Sequence, residues 1–237
     1  MSLVGKFLRS IFSQGAPPPA APAGQERDES SRTLVHLHEI ASEALKIQTA
    51  RELLALRADA RYAAPGRLEP HGYKVWSQSD EDGILAEIFR RIGVARPGQP
   101  GSFVEFGVDD GRECNTLKLL VEGWRGLWME AGAECCDRIR STFSAPLADG
   151  RLELLQKRVS ADNVDGLITG SRIAAAGELD LLSIDIDGND YHVLKAISLK
   201  PRVLVVEYNG KFPPPMDVVP PYDAAHVWDG SDYAGAS

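Results

Sequence analysis

The sequence predicts an α/β protein built on a doubly wound, mostly parallel sheet. Two observations predict it. From Glu81 onward, short apolar runs rich in Val, Leu, Ile and Phe alternate with helical stretches, which is the pattern of βαβ units. Several of the runs end in a carboxylate, as in "LWME", "LLSID" and "VLVVE". In open α/β sheets the carboxyl ends of the strands form the ligand cleft.

The elements follow in chain order. A helix over Glu81–Ile92 is predicted from the helical spacing of the apolar residues in "ILAEIFRRI". A strand over Phe103–Val108 leads through a Gly-containing turn to a helix from about Asn115 to Glu122. Strand Gly126–Glu130, helix Glu134–Phe143 and strand Leu152–Val159 come next. Helix Val164–Ile168, strand Leu179–Ile184, helix Tyr191–Ala196 and strand Val203–Tyr208 complete the alternation. Right-handed crossovers place helices on both faces of the sheet.

Ahead of this domain, expected over 67–237, lie three segments. "MSLVGKFLRSIF" (1–12) carries Leu3, Val4, Phe7, Leu8, Ile11 and Phe12 on one helical face, with Lys6 and Arg9 opposite. That is an amphipathic pattern capable of weak contact with a membrane surface or a partner. Residues 13–32 read as a Pro/Ala-rich, then charged, linker. Residues 33–66 read as helical, with Leu34, Leu37, Ala41, Leu45, Leu53 and Leu56 apolar. His36 and His38 have no acidic or Cys partners at ligand spacing and are expected to be surface residues.

Composition narrows the function. The net charge of −8 argues against a nucleic-acid partner, because phosphate affinity requires clustered Lys and Arg. The three cysteines make no disulfide framework and fit a reducing cytoplasm. No Cys/His spacing resembles a zinc site. No apolar run approaches the roughly 20 residues of a membrane span.

The turn "VEFGVDDG" has Glu105, Gly107 and Gly111 at E-x-G-x-x-x-G spacing. Glycines there allow a tight bend and a close approach to a ligand. The spacing differs from the G-x-G-x-x-G of nicotinamide enzymes, and an acid inside the loop suits a ligand with a cationic amine better than a pyrophosphate. Glu130 ends the second strand, where a carboxylate can accept both ribose hydroxyls. An amine-bearing adenosine ligand points to S-adenosylmethionine before NAD.

In "SIDIDGND", Asp185, Asp187 and Asp190 fall within six residues. Asp185 and Asp187 are expected to face the cleft as a general base, as an anchor for an amino group, or as hard oxygen ligands of a divalent metal. The match to an EF-hand loop fails, because Asp190 stands where Gly is needed and Ala196 where Glu is needed. Asp190 is explained by the acidic N-terminus of a helix. Glu207 ends the fifth strand and His192 follows the motif, both as lesser catalytic candidates.

Taken together, "SQSDEDGILAEIF", "FVEFGVDDGRECNTLKLL", "GWRGLWMEA", "DLLSIDIDGNDYHVLKAI" and "PRVLVVEYN" resemble the FkbM-like class I S-adenosylmethionine-dependent methyltransferases. The resemblance runs from about Tyr73 to the C-terminus. It implies a Rossmann-like methyltransferase fold and O-methylation of a hydroxyl on a sugar, glycan or polyketide-type acceptor. It places Glu105, Gly107 and Gly111 on the cofactor loop, Glu130 on the ribose and Asp185 and Asp187 on the acidic motif. It also implies Asn115 and Asn163 near the cofactor, and Gln78 and Asp82 closing over it from the N-terminal side.

The family's sheet continues past the fifth strand. Here the residues after Tyr208 include Pro213, Pro214, Pro215, Pro220 and Pro221, and no sixth or seventh strand is expected. The last strand is then an exposed apolar edge suited to a homodimer, and the alternative function is a catalytically inactive, shortened binding or scaffold module. A metal-dependent hydrolase using the aspartates is a third reading. Trp228, Asp229, Tyr233 and the Pro-rich tail are candidates to line the acceptor site.

Overall fold

The computed structural model describes residues 23–94, 100–175, 177–228 and 235–237. The amphipathic segment expected over 1–12 lies outside these residues. The chain divides into two compact units, Met1–Ala63 and Ala64–Ser237. In the first, helix α1 spans Ala23–Arg57. It starts inside the segment read as a linker, because the Ala, Gln, Glu and Arg that follow Pro22 are good helix formers. Ile40, Ile47 and Leu54 lie on the side of α1 opposite Leu34, Ala41 and Leu45, so its apolar residues form no single stripe. Among the described residues, no helix is long and apolar enough to cross a membrane.

The second unit is an α/β domain of Rossmann-like, doubly wound type. Its strands are β1 (Ser102–Phe106), β2 (Arg125–Glu130), β3 (Leu152–Gln156), β4 (Leu181–Ile184) and β5 (Val203–Val206), all parallel in the order β3-β2-β1-β4-β5. The strand order reverses between β1 and β4, which makes that junction the topological switch point.

Helices α2 (Glu81–Ile92), α3 (Leu117–Val121), α4 (Ala133–Thr142) and α5 (Ser144–Ala148) precede β3. Helices α6 (Val164–Thr169), α7 (Arg172–Ala175) and α8 (Asp190–Ala196) follow it. Side-chain alternation along the strands divides the core in two. Phe103, Trp128, Leu152 and Leu181 pack with Leu85, Phe89, Leu117 and Ile139. Val104, Phe106, Met129 and Ile184 pack with Val164, Ile168 and Val193 on the other face.

Helix α2 has the bounds expected of it. β2 and β4 end at Glu130 and Ile184 as expected, whereas β1, β3 and β5 end two or three residues early. β1 stops at Phe106 because Gly107 turns to a φ of +69°, and β3 stops at Gln156, after which the chain bends into the cleft wall. Two short helices, α5 and α7, were not legible; α5 carries Pro146 in its first turn, a position that tolerates proline. No strand beyond β5 occurs among the described residues. Leu204 is 44% exposed on this edge strand.

Asp82, in the first turn of α2, is 2% exposed. Its Oδ2 accepts from the backbone N–H groups of Val75 (2.7 Å), Trp76 (2.6 Å) and Ser77 (2.9 Å) and from the Ser77 hydroxyl (3.0 Å). Burial raises its pKa, but these donors outweigh burial and leave it below the usual carboxylate range. Asp82 therefore fastens the preceding segment and does not reach the cleft, contrary to the cofactor contact expected of it. Asp82→Ala is expected to lower stability by about 1–2 kcal/mol, because part of the freed backbone is exposed and can turn to water. Urea unfolding measures this directly.

Candidate functional site

The site forms where the carboxyl ends of β1, β2 and β4 meet. At the β1 turn, Gly107 donates its N–H to the Met129 carbonyl at 3.1 Å. A Cβ on Gly107 would stand 1.9 Å from the Asp185 carbonyl oxygen, so only glycine lets the β1 turn and the β4 end approach this closely. Gly111 has a different role. A Cβ there would stand 2.7 Å from the Trp128 ring and 2.9 Å from the Phe143 ring. It packs the turn onto the core and lines no described cavity.

Glu105 lies in β1, 2% exposed, in register with Ser183 of β4 and Trp128 of β2. Its Oε1 accepts from Asn115 N (2.9 Å) and the Ser183 hydroxyl (3.2 Å). Its Oε2 accepts from Thr116 N (3.0 Å) and the Thr116 hydroxyl (2.5 Å). The Trp128 indole N–H in turn donates to Thr116 Oγ1 at 2.8 Å. Burial raises the Glu105 pKa against these hydrogen bonds. Glu105 is thus chiefly the clip that fixes the β1–α3 connection, although it also forms part of the floor of a small cavity.

That small cavity, about 60 Å³, is lined by Gln78, Glu81, Glu105, Glu113, Asn115 and Asp185. The main cavity, about 370 Å³, opens between the ends of β1, β2, β3 and β4 and is lined by Gly107, Glu130, Arg158, Asp185, Asp187 and Trp228, among others. Its size falls in the range of small-molecule sites. Gly107 and Asp185 line both cavities.

Glu130 ends β2 at the rim of the main cavity. Its Oε1 accepts from Gly132 N at 2.7 Å and its Oε2 from Asp109 N at 3.1 Å, so it ties the β1 turn to the start of α4. Each oxygen keeps a further lone pair for a ligand.

The β4 end gathers the acids. Asp187 holds a φ of +55°, a left-handed conformation uncommon outside glycine and best tolerated by Asp and Asn. Asp190, 1% exposed, accepts from Ile186 N at 2.8 Å and Gly188 N at 2.9 Å, and so closes the loop from the first turn of α8. One oxygen from each of Asp185, Asp187 and Glu207 lies within 4.8 Å of the others. Burial, then the charges of Asp190 and Asp187, push Asp185 up to about 6. Glu207 is pushed to about 7 by the partial burial of its carboxyl and by Asp185, although the residue as a whole remains exposed. Burial and Asp190 also raise Asp187, while His226 opposes them.

Asn163 and His192 hold segments in place. Asn163 accepts from Ser160 N at 2.9 Å and donates to the Arg158 carbonyl at 3.0 Å. It shapes the loop after β3 and lines neither cavity, so its expected place near the cofactor reduces to positioning. His192 Nε2 donates to the Pro220 carbonyl at 2.7 Å, which directs this ring to the C-terminal segment. Asp229 and Tyr233 lie outside the described residues. Sequence reasoning missed Asp109, the wall of Lys157, Arg158 and Val159, and His226. The rule that strand ends carry function, applied to β3, would have found the wall.

Fold and site together define a Rossmann-like α/β domain with an acidic, glycine-turned cleft at its switch point. In comparisons with known proteins, no family model and no curated sequence matches the chain.

Proposed function

We propose that this protein is an S-adenosylmethionine-dependent methyltransferase of FkbM-like type, acting on a hydroxyl of a sugar, glycan or polyketide-type acceptor. The supporting observation is that one cavity joins the Gly107 turn, Glu130 at the end of β2 and Asp185 and Asp187 at the end of β4. The residues present suit such a cofactor. Glu130 has acceptor capacity for ribose hydroxyls, and the acids of the β4 end suit its cationic amino group. Gln78 and Asn115 line the adjoining small cavity. The bound cofactor supplies an electrophilic sulfonium methyl group.

The protein's own work is alignment and proton removal. Methyl transfer is an in-line displacement, so fixing donor and acceptor at near-attack distance supplies much of the acceleration. Asp185, next to Gly107, is the best-placed base, with Asp187 and Glu207 beside it. A carboxylate titrating near neutrality is well matched to taking a hydroxyl proton.

Turnover with a panel of sugar and polyketide hydroxyls, followed as S-adenosylhomocysteine release, tests this reading. Since Asp185 titrates at about 6 and Glu207 at about 7, kcat/KM is expected to rise between about pH 6 and 7, and Asp185→Asn to flatten that limb. Stability moves the other way. Both acids hold protons more tightly folded than unfolded, so stability falls as pH rises from about 4 through 7. A thermal melt series of the ligand-free protein reads this trend.

The closeness of Asp185, Asp187 and Glu207 favours a second reading of the same acids, as oxygen ligands of a divalent cation. Turnover that requires magnesium would move them from base to ligand. A folded protein that binds cofactor but methylates nothing would favour the scaffold.

A further inference from the structure

We propose that residues 218–228 form a lid over the main cavity, which opens by releasing tethers on both walls and closes on a bound ligand. Opening is a property of the free chain. Closure presupposes the cofactor inferred above.

The segment starts from a fixed foot. Val218 N donates to the Ser237 hydroxyl at 2.9 Å, and Ser237 N to the Val218 carbonyl at 3.0 Å. From there a strap crosses the carboxyl edge of the sheet, tethered at both sides of the cleft. On the β4 side, Asn189 Nδ2 donates to the Asp223 carbonyl at 2.7 Å, and His192 Nε2 to that of Pro220 at 2.7 Å. On the side that follows β3, Arg158 Nη1 donates to the His226 carbonyl at 2.9 Å, and Ala161 N to the Tyr222 hydroxyl at 3.2 Å. Between these tethers, Ala224, His226, Val227 and Trp228 line the cavity.

Two observations distinguish a movable cover from a fixed wall. The first is packing. Residues 219, 221–225, 227 and 228 are exposed, and no strap side chain joins either core of the domain. A segment held by accessible hydrogen bonds, with little apolar burial, belongs to the part of a protein that opens locally. Its freed donors and carbonyls can turn to water, so each tether costs little to break.

The second observation is His226. Its Nε2 is buried yet has no hydrogen-bond partner among the described residues. The ring lies on Gly188, where an added Cβ would stand 2.9 Å from Nε2. The closed strap thus presses an unsatisfied nitrogen onto a bare Cα, which costs the closed state; opening returns that nitrogen to water. A ligand in the cavity gives Ala224 and Val227 a surface to cover, and so shifts the balance towards closure.

The test is double electron–electron resonance on the full chain, with spin labels at Ala225→Cys on the strap and Glu134→Cys on α4. Cys135→Ser removes the half-buried native thiol, while Cys114 and Cys136 are buried. A closed and an open distance are expected without ligand. Tyr222→Phe and His192→Phe each remove one tether and should raise the open-to-closed ratio about threefold; thermal melts check that both variants stay folded. One distance that neither variant shifts would overturn the lid. Saturating S-adenosylhomocysteine should leave mainly the closed distance. If both distances persist while calorimetry shows the ligand bound, closure on the ligand is wrong. A chain that binds no S-adenosylhomocysteine removes the cofactor reading, and the lid then stands or falls on the ligand-free distances alone.

Discussion

Glu130→Ala is expected to weaken S-adenosylmethionine binding about 100-fold or more, with the domain still folded. The carboxylate stands at the rim of the main cavity, at the end of a strand whose preceding residues Leu127, Trp128 and Met129 are buried. Two charge-assisted hydrogen bonds to ribose hydroxyls are worth roughly 3 kcal/mol or more together, which is about two decades of affinity. The same substitution releases Asp109 N and Gly132 N, so the turn beside Gly107 loosens as well. Glu130→Gln keeps an amide oxygen as acceptor but no charge, and should lose about tenfold. A titration in which Glu130→Ala binds like the wild type would remove the ribose from this end of β2.

Glu105→Ala is expected to have the largest effect on stability, about 3–4 kcal/mol by urea unfolding. The carboxylate takes hydrogen bonds from Asn115 N, Thr116 N, the Thr116 hydroxyl and the Ser183 hydroxyl. Thr116 and Ser183 are fully buried, so their donors cannot turn to water. Each buried donor left unsatisfied costs about 1–3 kcal/mol, and the lost side chain leaves a void. Glu105→Asp is too short to reach both connections and should fall between alanine and the wild type. A loss below about 1 kcal/mol would mean that the clip is not what fixes the β1–α3 connection.

The fold was legible because β1, β2 and β4 are nearly uniform apolar runs, as strands buried on both faces must be. Helix α2 was exact for a similar reason, since its apolar spacing is strict and Gly93 terminates it in a left-handed conformation. The gathering of Glu207 with Asp185 and Asp187 also followed from topology, because β5 pairs beside β4.

What could not be read was the direction in which individual polar side chains point. Asp82 and Asn163 occur in the segments expected to touch a cofactor, yet Asp82 Oδ2 and the Asn163 amide bond to groups of their own loops. No local pattern distinguishes a carboxylate that caps a loop from one that faces a ligand. The C-terminal segment 218–228 was legible only in part: Trp228 was expected to line a site and lines the main cavity, but the path of the segment was not readable. Its sequence, "VVPPYDAAHVW", has neither a period of two nor one of 3.6. It is held by bonds to residues 28 to 68 positions away in the chain. The acidic cluster was visible as composition, but its division into Asp190, which closes the loop, and Asp185 and Asp187, which line the cavity, required the geometry of the β4 end.

The most direct measurement is calorimetric titration of the purified wild-type chain with S-adenosylmethionine, with and without magnesium. Saturable one-site binding is predicted, with a negative heat-capacity change from apolar burial in the cleft. A folded, monodisperse sample that gives no binding heat at several temperatures in either condition would contradict the cofactor site.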